Sequence, residues 1–258
     1  MKSYFLAALA LCLAACGAGS GDTQRGGATT GPPPTTADIT LLFMGNSHTS
    51  SNNLTGMVAD MVRAGKPGQT VASVEAPGWM FLEERVHDQP SIDLLRSQNW
   101  SFVILQAQKY STSGQFTYST EEAQELIRMS RVQHAVPVMF PEWPRRDVVE
   151  TQRIYDLHVS IAQAEPACVA PIGQAWDLAL TRDPTLPLHA SDGNHSAPAG
   201  AFLAALVLYA TITGQSPLDL PQFPQYPVGA AMQETLRGIA AETVQTVPAR
   251  MWCASDPV

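Results

Sequence analysis

Two short stretches combine residue types that together could attack a carbonyl and move a proton. The first is Gly45-Asn46-Ser47-His48-Thr49, which follows an apolar run and precedes a helical pattern. A glycine there permits a sharp turn and leaves Ser47 at the start of a helix, its hydroxyl beside backbone N–H groups that no carbonyl satisfies. The second is Ser191-Asp192-Gly193-Asn194-His195, directly before a long apolar segment. An aspartate and a histidine three residues apart can face one site, the carboxylate holding Nδ1–H and leaving Nε2 free to take a proton. Each stretch also fits a plainer role: Ser47 as a helix N-cap, Asp192 as a turn former, His195 as a cap on the next helix. His48, His189, Asp192 and His195 could instead be read as metal ligands. No His-x-x-x-His pair, cysteine pair or catalytic glutamate accompanies them, so neither a metal nor any other cofactor is expected. His87, His134 and His158 fall in predicted helices or connections and receive no role.

The elements that would position these residues are strands alternating with helices. Short, nearly continuous apolar runs predict strands at 39–44, 70–75, 102–106, 136–140 and 169–172. Such runs suit strands buried on both faces, as in a parallel sheet with helices on each side. Helical patterns lie at 54–64, 91–97, 120–131, 147–164, 197–213 and 229–246, the third opened by Ser119 with Glu122 in capping-box spacing. The expected fold is a three-layer α/β/α domain around a parallel five-stranded sheet. Sheets of this kind bind ligands beyond the carboxyl ends of their strands. That singles out Gly78 and Trp79 after the second strand, Gln106 and Gln108 after the third, and Trp143 after the fourth. Trp79 and Trp143 could wall an acyl or sugar group, with Gln108 beside them, or the rings could cover a core edge and the glutamines tie down loops. Arg145 and Arg146 read as surface charges.

A serine after the first strand and Asp-x-x-His before the final helices resemble the SGNH hydrolases, the GDSL-type esterases and lipases. The stretch from Asp192 to Gly200, DGNHSAPAG, is similar to the last block of that family, and 43–49 is similar to the first block, with Gly-Asn-Ser in place of Gly-Asp-Ser. The resemblance implies a flavodoxin-like sheet carrying a catalytic triad of Ser47, His195 and Asp192. It also implies an oxyanion hole built from the N–H groups of Ser47 and Gly78 and from an asparagine side chain after the third strand. That asparagine is missing, and Gln106 stands where a divergent branch would place its donor, an amide with one more methylene of reach. The activity implied is hydrolysis of a small-molecule or glycan ester. The alternative is a protein of the same fold that has lost effective catalysis and holds a glycan or a partner protein in its cleft.

The first residues bear on location. Lys2 followed by an apolar run and by Leu13-Ala14-Ala15-Cys16 resembles a bacterial lipoprotein signal, implying removal of residues 1–15 and a lipid on Cys16. The run is too short to span a bilayer, so the lipid would be the only membrane contact. Residues 16–37, rich in Gly, Ser, Thr and Pro, read as a tether, and 38–258 as the catalytic domain. With no acidic residue after Cys16, the outer membrane is the expected destination. Cys12 leaves with the signal, so Cys168 and Cys253 remain, and an oxidising envelope would permit a disulfide between them. A net charge of -8 with only 15 Lys and Arg among 258 residues argues against a nucleic-acid partner.

Overall fold

The computed structural model describes residues 36–254, so the signal-like segment, Cys16 and almost all of the tether lie outside the described residues. Five strands make one sheet: β1 (Ile39–Met44), β2 (Val71–Glu75), β3 (Phe102–Gln106), β4 (Val136–Phe140) and β5 (Cys168–Val169). Every neighbouring pair is parallel, and the order is β2-β1-β3-β4-β5. This is the doubly wound, flavodoxin-like order, in which the chain leaves β1 in one direction and returns to β3 on its other side. The helices are α1 (Ser47–Ser50), α2 (Leu54–Gly65), α3 (Leu82–Arg85), α4 (Gln89–Arg96), α5 (Glu121–Val132), α6 (Thr151–Ala164), α7 (Ile172–Arg182), α8 (Pro198–Thr213) and α9 (Ala230–Thr246).

Side chains alternate across a strand, so the continuous apolar runs serve two cores. Leu41, Phe43, Ile104, Val138 and Phe140 face α2, α7, α8 and α9. Leu42, Met44, Val103, Leu105 and Met139 face the opposite layer, built from α3 to α6. α8 is buried at every residue from Ala199 to Ile212, because it is enclosed by α2, α7 and α9. A helix apolar on all sides is stable in water only when so enclosed. No helix among the described residues is long and apolar enough to cross a membrane.

The larger departures from expectation fall around β5, α7 and α6. The fifth strand is shorter than 169–172 and begins one residue earlier, because Pro171 has no N–H to extend the ladder. Ile172 instead opens α7, which was not anticipated and buries Ile172, Ala175, Trp176 and Ala179 on one face. α6 starts at Thr151, not 147, since Asp147 adopts a left-handed conformation with φ 62°. α9 backs the sheet against α7 and α8. Beyond it, Ala249 accepts the Val169 N–H at 3.0 Å, and a disulfide joins Cys253 to Cys168, closing the edge of β5.

Candidate active site

The chain leaves β1 at Met44 and turns through Gly45 and Asn46 into α1. Gly45 is needed for space: a Cβ there would lie 2.5 Å from Gln106 Oε1 and against Thr49 Oγ1. The helix cap is Asn46, whose Oδ1 accepts the His48 N–H at 3.0 Å. Ser47 is therefore not the cap. It is the first helical residue, its Oγ 2.8 Å from His195 Nε2 and its N–H without an acceptor among the described residues.

Asp192 organises its loop with both oxygens. Oδ1 accepts the N–H groups of Asn194 and His195, each at 2.9 Å, and Oδ2 lies 2.6 Å from His195 Nδ1. A carboxylate accepts, so Nδ1 carries the proton and Nε2 is left to accept from the Ser47 hydroxyl. The ring hydrogen bond, followed by the two backbone ones, holds the Asp192 carboxyl well below the usual carboxylate range. The loop is tied down from outside. Trp143 Nε1 donates to Asn194 O at 2.8 Å, Arg146 donates to Gly193 O through its backbone and to Ala190 O through its guanidinium, and Asn52 Nδ2 donates to Ser196 O at 2.7 Å. Arg146 is thus part of the loop's support and not only a surface charge. His48 stacks on His195 with ring centroids 4.9 Å apart and makes a tilted contact with Trp143 at 5.2 Å. Burial, then the neighbouring His195, pushes the His48 pKa down to about 4, so a neutral ring underlies His195 at ordinary pH.

Of the residues read as oxyanion donors, Gly78 has φ 74° and its N–H has no acceptor among the described residues. Gln106 corrects the expectation of a third donor. Its side chain is fully buried, and Oε1 accepts the Asn46 N–H at 2.9 Å and the Thr49 hydroxyl at 3.0 Å. A backbone N–H can only donate, which fixes the orientation of the amide, and Nε2 consequently donates to Glu142 Oε2 at 2.8 Å. Gln106 braces the nucleophile turn from below.

The reading of Trp143 as a wall for the substrate is also corrected: it is 2% exposed and stacks on Trp176 at 4.7 Å. Gln108 is buried as well, its amide donating to the carbonyls of Lys109 and Ser119, so it ties a loop. Trp79 is 70% exposed and does not line the cleft; its indole N–H donates to Ser50 Oγ, which in turn donates to Glu75. The cleft itself encloses about 370 Å³, and Phe81, Tyr110, Tyr118, Glu142 and Arg145 line it together with Ser47 and His195. Sequence reasoning passed over Glu142 and Arg85, the second lying in a short helix, α3, that the sequence patterns did not mark. His189 Nε2 donates to Pro144 O, 2.8 Å away, and does not converge with the other three side chains considered as ligands. No cluster of three or more His, Cys, Asp or Glu that could hold a metal occurs among the described residues.

No family's sequence profile matches this chain, and no curated protein matches it. Solved structures do share its fold. A protein of the DUF4886 family from Bacteroides uniformis superposes with a TM-score of 0.66 at 17% identity, over 82% of this chain and 96% of that one. A candidate SGNH hydrolase from Slackia heliotrinireducens gives 0.53 at 23% identity, over 66% and 97% of the two chains. A lipase/acylhydrolase from Enterococcus faecalis gives 0.50 at 15% identity, over 72% and 100%.

Proposed function

We propose that this chain, which has the three-layer α/β/α fold of the SGNH hydrolases, is a serine ester hydrolase. The observation that carries the reading is the unbroken relay from Ser47 Oγ through both nitrogens of His195 to Asp192. Ser47 Oγ attacks the ester carbonyl while Nε2 takes its proton. The imidazolium then passes that proton to the leaving alcohol, and Asp192 stabilises the charged ring throughout. Water, activated by the same nitrogen, releases the acid. The N–H groups of Ser47 and Gly78 hold the oxyanion, with Gln106 keeping the turn in shape rather than donating.

The cleft volume favours a short acyl group, and its tyrosines and Phe81 offer faces on which a sugar ring could stack. Acetylated carbohydrate or another short-chain acyl ester is the proposed substrate class. The lipoprotein-like signal supports action in the cell envelope, anchored through Cys16, at the outer membrane. One observation favours a second reading, a weakly catalytic protein that binds a glycan or a partner: the missing third side-chain donor. Fluorophosphonate labelling separates them. Adduct on Ser47 in the parent, absent from Ser47→Ala and His195→Ala, is the result expected of a hydrolase, and an unlabelled parent would overturn it.

A further inference from the structure

Arg85 lies outside the relay and is fully buried. Among the described residues its guanidinium pairs directly with no carboxylate, although Asp88, Glu75 and Glu84 act on it from beyond hydrogen-bond reach. Nη1 donates to Pro77 O at 2.9 Å and to Ser91 Oγ at 2.8 Å, and Nη2 donates to Gly45 O at 2.5 Å and to Gly78 O at 2.8 Å. Ser91 is itself turned toward Arg85 because its hydroxyl donates to Asp88 Oδ2. Nε has no partner among the described residues. Burying a cation with no carboxylate in direct contact is costly, and here three of its four hydrogen bonds go to carbonyls of the two loops that follow β1 and β2.

In a trans peptide the C=O and the N–H of one unit point in opposite directions. With Pro77 O drawn to Arg85, the Gly78 N–H in the same unit points away from the guanidinium. The next unit is pinned too, through Gly78 O. On the other loop Gly45 O is drawn to Arg85, so the Asn46 N–H points away from it, and that N–H does meet Gln106 Oε1 at 2.9 Å. One rigid, planar group therefore sets the orientation of both loops and their spacing. Gly78, at φ 74°, is a position where the backbone would otherwise have several conformations to visit.

We infer that Arg85 is the positioning residue of the oxyanion hole, clamping the carbonyls of Gly45, Pro77 and Gly78 so that the Gly78 N–H is held at a fixed place relative to Ser47. The inference rests on the hydrolase reading. Arg85 touches no reacting atom. Its effect falls on the tetrahedral state, in which the oxyanion needs both N–H groups, and not on ground-state binding.

The test uses the full chain, with p-nitrophenyl acetate as substrate and a phenylboronic acid as the tetrahedral mimic. Rates are expressed per serine titrated by fluorophosphonate, so that misfolded protein drops out. Lysine can satisfy the carbonyls only in part, and Arg85→Lys is expected to lower kcat roughly 10–100-fold, to weaken the boronic acid by a similar factor, and to leave KM within about threefold. Ser91→Ala frees one end of the guanidinium without touching the loops and is expected to lower kcat about three- to tenfold. If Arg85→Lys does not fold, Ser91→Ala decides alone. Unchanged kcat per titrated serine in the folded variants, or boronic acid affinity that stays constant while only thermal stability falls, would overturn the inference and leave the hydrolase reading intact. A parent that neither hydrolyses the ester nor takes the label removes both.

Discussion

Replacing Glu142 by glutamine should change the way stability depends on pH. The carboxyl is enclosed between Gln106, Glu150 and Tyr110 at the inner end of the cleft. Burial pushes its pKa from 4.5 up to about 7, against the opposing effect of the hydrogen bond from Gln106. A carboxyl raised in the folded state keeps its proton there over a range in which the unfolded chain has lost it. Its contribution is complete below pH 4.5 and is lost as the pH rises through about 7. The interval corresponds to at most about 3 kcal/mol, and to less where water in the cleft reaches the carboxyl. Glutamine resembles the protonated acid in shape and still accepts from Gln106 Nε2, so parent and variant should be close in stability at pH 4.5. By pH 8 the variant should be the more stable by about 1–3 kcal/mol. Urea unfolding of both proteins at pH 4.5, 5.5, 6.5, 7.5 and 8.5 measures the difference. A gap that stays within about 0.5 kcal/mol across that range would refute the account, and a variant that loses ground with rising pH would show that Glu142 is ionised and paired in the native protein.

Other outcomes follow from the same geometry. Asp192→Asn cannot hold Nδ1–H with the same oxygen that now accepts it, and an amide that donates to Nδ1 would impose the wrong tautomer. Its kcat for p-nitrophenyl acetate should fall roughly 10³–10⁴-fold with the fold intact by circular dichroism, and a loss under tenfold would remove Asp192 from the relay. The Cys168–Cys253 disulfide closes a sequence separation of 85 residues, which in the chain-entropy description corresponds to about 4–5 kcal/mol. The Cys168→Ala/Cys253→Ala double variant should unfold at clearly lower urea, with reductant changing the parent and not the variant. Coincident midpoints for parent and variant would show that the crosslink contributes nothing.

The layer architecture was legible because its signals are local. Five apolar runs of strand length and helical spacing between them report short-range preferences that the sheet then satisfies; the capping box expected at Ser119 does not form, since Thr120 stands at the cap and the Ser119 hydroxyl donates to the Glu122 carboxylate at 2.6 Å instead. α7 was missed although Ile172, Ala175, Trp176 and Ala179 carry helical spacing, since the apolar run before Pro171 drew that segment into a strand. Strand order could not be read, because it depends on contacts between segments far apart in the chain.

Ser47, Asp192 and His195 could be picked out by type and spacing, and Asp192 with His195 is a local motif whose hydrogen bonds close within four residues. The meeting of Ser47 with His195 spans 148 positions and belongs to the tertiary structure. So do the roles of Gln106, Gln108 and Trp143. Their places at or just past the ends of β3 and β4 were apparent from sequence, but whether an amide or an indole faces solvent or a buried partner depends on what packs behind it. Packing turned all three inward, and it also buried Arg85, a cation in a short helix that the sequence patterns did not mark. Residue types determine which groups are able to donate, accept or ionise, while burial and long-range neighbours decide which of them face the substrate.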